Sequence, residues 1–417
     1  MSLAAAFREK VSSMKDHRMK NETEYDVAYP TGFLSFDFLN GTTIHVKSDN
    51  MDFTYNSIGI VDGSMVTVIG RSGCGKTTFI MQSAADIIRP YRTSCIFHDD
   101  IEGGIVNARK QRLMRMKGPE MKDRYIARNS GVTAENFYQR IKMIHDLKLE
   151  NRSEYEYDTG LFTSDGERIF KLEPTVYILD SIAMLMPEKL TEEEELSGQM
   201  STTAAAKTNS SIFRRIIPML KAANIILFVV NHITEKVEIN MFAKTKAQIA
   251  GLKQGETLGG GRVANYLTNL LIRLDDNSTL KETEGFYIKG SIVELSLVKS
   301  RTSARGRSVN LVFNHEEGFD RELSLFYMLK DQGLVTVTGT SMTFMGEDKV
   351  KCAQRELKTK LKEDAAFREI FMKYVMIGLD NLIYKGSEMD EDDCGIDLTS
   401  NILQLYPGST VNYGLSA

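Results

Sequence analysis

The run MVTVIG at residues 65–70 passes directly into GRSGCGKTT at 70–78, and this junction constrains the fold more than any other stretch of the chain. A near-continuous apolar run reads as a strand buried on both faces, and residues from Thr77 onward read as a helix. Between them, glycines let the backbone bend tightly, so that successive N–H groups point inward at an anion with the positive end of the helix behind them. The expected fold class is α/β with a mostly parallel central sheet. The spacing GxxxxGK[ST] assigns Gly70, Arg71, Ser72, Gly73, Cys74, Gly75, Lys76, Thr77 and Thr78 to a nucleoside triphosphate. Lys76 is placed on the β and γ oxygens and the Thr77 hydroxyl on Mg2+. Motors, switches, synthases and filament-forming enzymes share such a loop, so the remaining residues must discriminate.

Three more runs, SCIFHDD (94–100), TVYILDS (175–181) and NIILFVVNH (224–232), have the same buried character, with helices expected at about 76–89, 103–117, 133–148 and 203–223. VELSLVKS (293–300) and SVNLVFNHEEG (308–318) alternate more and read as later, partly antiparallel strands. TVYILDS ends in Asp180, a carboxylate able to hold Mg2+ through its water shell. Hydrolysis also needs a group to orient the attacking water. Glu102 is the first choice, because two glycines follow it, with Asp99 and Asp100 as alternatives and a merely solvated Glu102 as the bland reading. Asn231 and His232 close the third run as candidate γ-phosphate sensors; a satisfied strand-end histidine is the other reading.

The chain has 52 basic and 56 acidic residues and a formal charge of −4, so any basic surface must be local. One candidate follows His232: Lys236, Lys244, Lys246 and Lys253, then Gly259, Gly260 and Gly261 leading Arg262 into a helix. Such a loop can track a phosphate backbone. Arg214 and Arg215 on the preceding helix add cations. Neither segment carries an evident reader of base edges, so binding without strong sequence preference is expected. Lys299, Arg301, Arg305 and Arg307 form a dense cationic edge able to reach a neighbour's γ-phosphate, as an arginine finger does, or else a solvated basic hairpin.

Four cysteines without a CxxC pair fit a reducing compartment. No apolar run approaches the ~18 residues of a membrane span, and the first twenty residues lack a signal-peptide core. The expectation is a cytoplasmic protein with no membrane partner. Residues 1–25 are expected as an oligomerisation helix and linker, with Leu3, Phe7, Val11 and Met14 on one face. That face would fold back on the core or dock on a neighbouring subunit. Residues 26–335 are expected as the ATPase core, 336–386 as a small helical region with Leu357, Leu361, Phe367, Ile370, Phe371 and Tyr374 buried, and 387–417 as an acidic flexible tail.

From YPTGFLSFDFLNG through GRSGCGKTT, CIFHDDIEGGI, YILDSIAML, FVVNHI, LGGG and LVKSRT, the chain resembles the RecA family of strand-exchange recombinases, most closely the UvsX type of tailed phages. The resemblance covers some three hundred residues in family order. It implies a RecA-like P-loop ATPase core and a DNA-dependent ATPase that forms a homo-oligomeric filament on single-stranded DNA and pairs it with homologous duplex DNA. A single-strand-binding protein and a loader are further partners of such a reading. It gives Lys299 and Arg301 the contact with ATP across the filament interface, and makes LGGGRVANYL the end of a DNA-binding loop. The segment DDIE is one residue longer than the family's D.E if Asp99 is the anchor. About twenty residues before the phosphate-loop strand, and a hairpin at EYEYDTGLFTSDGERIF, are additions. The competing expectations are a hexameric replicative helicase, which shares the core, and a DNA-free regulatory ATPase.

Overall fold

A computed structural model describes residues 27–48, 51–162, 166–192, 198–235, 251–259, 266–280, 290–339 and 341–385. All four apolar runs form strands of one sheet. In chain order its members are β1 (Met65–Gly70), β2 (Ile96–Asp100), β3 (Tyr125–Arg128), β4 (Thr175–Asp180), β5 (Ile225–Glu235), β6 (Glu256–Leu258), β7 (Leu270–Leu280), β8 (Gly290–Lys299), β9 (Ser308–Asn314) and β10 (Gly318–Asp320). The spatial order is β10-β9-β8-β7-β1-β5-β4-β2-β3, with β6 paired to the end of β5. From β7 to β3 every pairing is parallel, and β7 to β10 form an antiparallel extension.

Alternation explains why the central strands read as unbroken apolar runs. Val176 and Ile178 of β4, with Ile226, Phe228 and Val230 of β5, face one core, while Tyr177, Leu179, Leu227 and Val229 face another. Successive side chains point to opposite faces, and helices cover both, so most positions on either face are apolar. Among the helices are α1 (Leu34–Leu39), α2 (Lys76–Ile88), α3 (Asn107–Met114), α4 (Ala134–Glu150), α5 (Gly198–Ala223), α6 (Arg321–Asp331), α7 (Leu357–Glu363) and α8 (Ala365–Asp380). α2 packs in the first core, whereas Phe137 and Ile141 of α4 and Phe213 and Ile216 of α5 pack in the second.

The helix expected at 103–117 is shorter. Residues 103–106 stay outside it, Gly103 taking φ 63°, and Arg115 stops it in a left-handed conformation at φ 52°. The hairpin expected near 151–170 is present as Glu156–Phe162 paired with Arg168–Leu172. It is fixed to the body where the Tyr157 hydroxyl donates to the Tyr29 hydroxyl at 3.0 Å. The other added segment is also a hairpin, Thr42–Ser48 with Met51–Ser57.

The helices of the C-terminal region follow a three-stranded antiparallel sheet, Val335–Thr338, Ser341–Phe344 and Glu347–Ala353, that sequence reading did not contain. Two of these strands have only four residues, too short to display a period. Leu357, Phe367, Phe371 and Tyr374 are buried against Phe326 and Leu329 of α6, and Leu361 and Ile370 are partly buried beside them. Asp364 caps α8, its carboxylate accepting the Phe367 N–H at 2.9 Å. The expected helix carrying Leu3, Phe7, Val11 and Met14, and the acidic tail, lie outside the described residues. Among the described residues no helix is long and apolar enough to cross a membrane.

Candidate nucleotide site

Because β1, β2, β4 and β5 are parallel, their C-terminal ends share one edge of the sheet, where β1 opens into the phosphate loop and β2, β4 and β5 deliver polar residues. Register places Asn231 beside Ile69, His232 beside Gly70, and Asp180 beside Asp100. Gly70 touches its surroundings closely: an added Cβ would lie 2.5 Å from the Leu274 carbonyl oxygen. Gly75 takes φ 89° at the start of α2, and a Cβ there would meet the Phe319 ring at 2.9 Å. The loop therefore has no room for side chains at these turns, and its first helical N–H groups face the same edge.

Lys76 is 4% exposed, and its ammonium donates to the Gly70 carbonyl at 3.0 Å and the Arg71 carbonyl at 2.8 Å. Burial lowers its pKa, opposed by Cys74, Asp180 and Glu102. The Thr77 hydroxyl donates to Asp180 Oδ2 at 2.6 Å. Burial pushes the Asp180 carboxyl up to about 6; the Thr77 bond resists, while Glu102 and Asp100 add repulsion. Its second oxygen, Oδ1, is buried with no hydrogen-bond partner among the described residues. These are donors and acceptors suited to a polyphosphate and a hard cation, the chemistry expected for ATP with Mg2+.

The three candidate carboxylates separate cleanly. Asp99 accepts from the Tyr177 hydroxyl at 2.6 Å and from Arg140 at 2.7 Å. Asp100 pairs with buried Lys110 at 2.7 Å and accepts the Gly103 N–H at 2.9 Å. Both are occupied with holding β2 to its neighbours. Glu102 is exposed and lies with Oε1 2.9 Å from His232 Nε2. One donor atom each from Glu102, Asp180 and His232 lie within 4.8 Å of one another. Asn231, fully buried, accepts the His232 N–H and donates to the Gly259 carbonyl at 3.1 Å, tying the end of β5 to the start of the glycine triplet.

Sequence reading missed the brace behind that segment. Arg273, inside β7, donates to both oxygens of Glu256 at 2.7 and 3.0 Å and both of Asp275 at 2.6 and 3.0 Å. A fifth bond reaches the Gly251 carbonyl at 2.8 Å. An arginine in the apolar run LLIRL was the available signal, because a buried guanidinium must be paired.

Lys299 and Arg301 lie at the opposite edge. Lys299 is registered with Leu271, Leu271 with Thr67, and Gly70 with Leu274. At ~3.3 Å per residue, Lys299 sits about 10 Å back along the strands from the start of the phosphate loop. Its ammonium donates to the Tyr266 carbonyl at 2.8 Å, and burial followed by Arg301 lowers its pKa. Arg301 and Arg305 are exposed. Arg307 is not part of a free cationic edge: its guanidinium donates to the carbonyls of Leu39 and Leu382. Arg214 and Arg215 are exposed on α5, and Lys253 is exposed 3.7 Å from Asp275. Lys236, Lys244, Lys246, Gly260, Gly261 and Arg262 lie outside the described residues.

No protein-family model matches the chain. Among curated proteins it is similar to the RecA protein of Thermotoga neapolitana, 24% identical over 163 residues (39% of this chain and 42% of the relative). It is also similar to the RecA protein of Pseudomonas putida, 28% identical over 171 residues (41% and 44%). A longer match, 22% identical over 335 residues, covers 79% of this chain and 81% of the RecA protein of Chlorobium limicola. The chain thus spans less than half the length of the first two relatives and about four-fifths of the third. Its mixed α/β architecture, with a large and mostly parallel central sheet, accords with a RecA-like core. The chain is a distant homologue of RecA proteins.

Proposed function

We propose that this chain is an ATP-dependent DNA recombinase of the RecA kind, most similar to the UvsX type of tailed phages. It forms helical filaments on single-stranded DNA and promotes homologous pairing and strand exchange in recombination and repair. One observation carries the reading: the anion-binding residues and the cations Lys299 and Arg301 sit at opposite edges of one sheet. Those cations cannot serve their own chain's phosphate loop, but they suit the loop of a neighbour stacked edge to edge.

ATP supplies the γ-phosphoryl group and, with Mg2+, the charge to be neutralised. Lys76 leaves the carbonyls of Gly70 and Arg71 for the phosphate oxygens, and Thr77 and Asp180 hold the cation. Glu102 accepts the proton of the attacking water, and its bond to His232 links that step to Asn231 and the segment beginning at Gly259. Lys236, Lys244, Lys246, Lys253, Arg262, Arg214 and Arg215 contact the phosphate backbone of DNA. Residues 1–25 dock on the adjacent protomer, 26–335 form the ATPase core, 336–386 the C-terminal region and 387–417 an acidic tail. A single-strand-binding protein and a loader are partners of the same cytoplasmic reaction.

The test is ATP hydrolysis with and without single-stranded DNA, with the same mixtures imaged by negative-stain electron microscopy. Strand-stimulated turnover together with helical filaments is the expected result. Closed rings would favour a hexameric helicase, and turnover indifferent to DNA would favour a regulatory ATPase.

A further inference from the structure

We propose that Glu102, Asp180 and His232 form a divalent-cation site that fills without nucleotide and selects a first-row transition-metal ion, Mn2+ included, over Mg2+. Glu102 Oε1 and His232 Nε2 are 2.9 Å apart, and the Asp180 donor lies within 4.8 Å of both. Ligands at ~2.0–2.2 Å from one ion and at right angles to each other are about 3 Å apart, so the first pair already has the required spacing. The third needs a side-chain movement of an ångström or two, on the order of a rotamer adjustment.

The second observation is Asp180 itself. It is 3% exposed, Thr77 occupies Oδ2, and Oδ1 has no hydrogen-bond partner among the described residues. A buried carboxylate oxygen without a donor is costly, and a cation removes that cost. Local charge points the same way. Lys110 neutralises Asp100, whereas Lys76 turns its ammonium to the carbonyls of Gly70 and Arg71. Among the described residues, two carboxylates therefore meet one imidazole with no lysine or arginine bonded to them, Lys76 acting on both only through space.

The donor set decides the ion. Mg2+ prefers all-oxygen octahedra and keeps its waters, whereas an imidazole nitrogen favours first-row transition ions, in an affinity order that begins with Mn2+ and rises towards Cu2+. The site differs from the Mg2+ position expected with ATP, which uses Thr77 and Asp180 together with phosphate oxygens. Its regulatory consequence rests on the proposed hydrolysis: a bound ion occupies Glu102, the proton acceptor, and so slows turnover.

The experiment titrates the full chain, stripped of nucleotide and Mg2+, with MnCl2 and follows free Mn2+ by electron paramagnetic resonance. Expected are one tightly held ion per chain that survives a tenfold excess of Mg2+, and an imidazole nitrogen coupling in the pulsed spectrum. His232→Ala abolishes that coupling, and His232→Ala and Glu102→Gln each weaken binding roughly tenfold or more, by the sensitivity typical of metal sites. Thermal melts of these variants and of His232→Gln establish that each is folded. Absence of Mn2+ binding without nucleotide, equal competition by Mg2+, or unchanged binding in folded His232 and Glu102 variants overturns the inference. Binding of a fluorescent ATP analogue, measured in parallel with Mg2+, tests the nucleotide reading separately, so either can fail alone.

Discussion

Replacing Arg273 by alanine tests whether the brace behind β5 and β7 is as important as its geometry implies. The Arg273 and Glu256 side chains are 5% and 3% exposed, and Asp275 is 21% exposed. Removing the guanidinium leaves Glu256 with the Lys253 N–H at 2.6 Å as its described partner. Deleting one member of a buried ion pair costs about 3–5 kcal/mol, mainly through the charge left behind. Asp275 can rehydrate, so Arg273→Ala should lie near the lower end, about 3 kcal/mol. Replacing both partners, Arg273→Met with Glu256→Leu, should recover most of that loss, since well-packed apolar pairs substitute for buried ions. Urea unfolding followed by circular dichroism at low protein concentration measures both. The pH dependence adds a signature. The Arg273 bond holds the Glu256 carboxyl below its ordinary range, against the effect of burial. A depressed acid contributes stability that is present above its unfolded pKa of about 4.3 and lost as pH falls below it. That acid limb should vanish in Arg273→Ala. A cost below about 1 kcal/mol, with the double variant no better than the single, would refute the reasoning by making the pair behave as a surface one.

Asp180 should show the opposite sign. Its folded pKa is raised to about 6, so the folded chain loses stability as pH rises from about 4 through 6. Asp180→Asn should then stabilise the nucleotide-free protein by on the order of 1–3 kcal/mol near pH 8 and by almost nothing near pH 3, while abolishing turnover. Melting curves at both pH values check it, and an unstabilised variant at pH 8 contradicts it. Lys76→Ala and Arg301→Ala chains should each lose ~10³-fold in ATP hydrolysis, and mixing them should restore part of it, because an intact loop can meet an intact cation across a junction. No recovery on mixing would place Arg301 outside the reaction. Phe371, 1% exposed among Phe344, Phe367 and α6, should cost about 3–5 kcal/mol as alanine in denaturant unfolding.

What could be read from sequence was what is local. The phosphate loop, the strand ending in Asp180 and the pair Asn231 and His232 each carry their chemistry within a few consecutive residues. Their parallel strands then bring them to one edge with no further information needed. Glu102 was the first choice from the two glycines after it, but the engagement of Asp99 and Asp100 was not legible, because it depends on Tyr177, Arg140 and Lys110 arriving from elsewhere. Arg273 was missed for the same reason: its partner Glu256 is 17 residues away in the chain. Arg307 read as one cation among four, and only the approach of Leu39 and Leu382 shows that it pins the body together. The small sheet before α7 escaped because strands of four residues are too short to display alternation.

The two-edged distribution of charge also sets an arithmetic. Under the proposed assembly a composite site exists at each junction between protomers, so a row of n chains holds n−1 complete sites and one bare phosphate loop at a tip. Lone chains are silent, pairs run at half strength per subunit, and long rows approach a plateau. Turnover per chain thereby becomes a ruler for polymer length. The two tips differ as well: one presents a nucleotide pocket without its cations and the other presents cations without a pocket. Growth and loss at the two tips need not proceed at the same rate, and a polymer built this way has a direction before it touches any template.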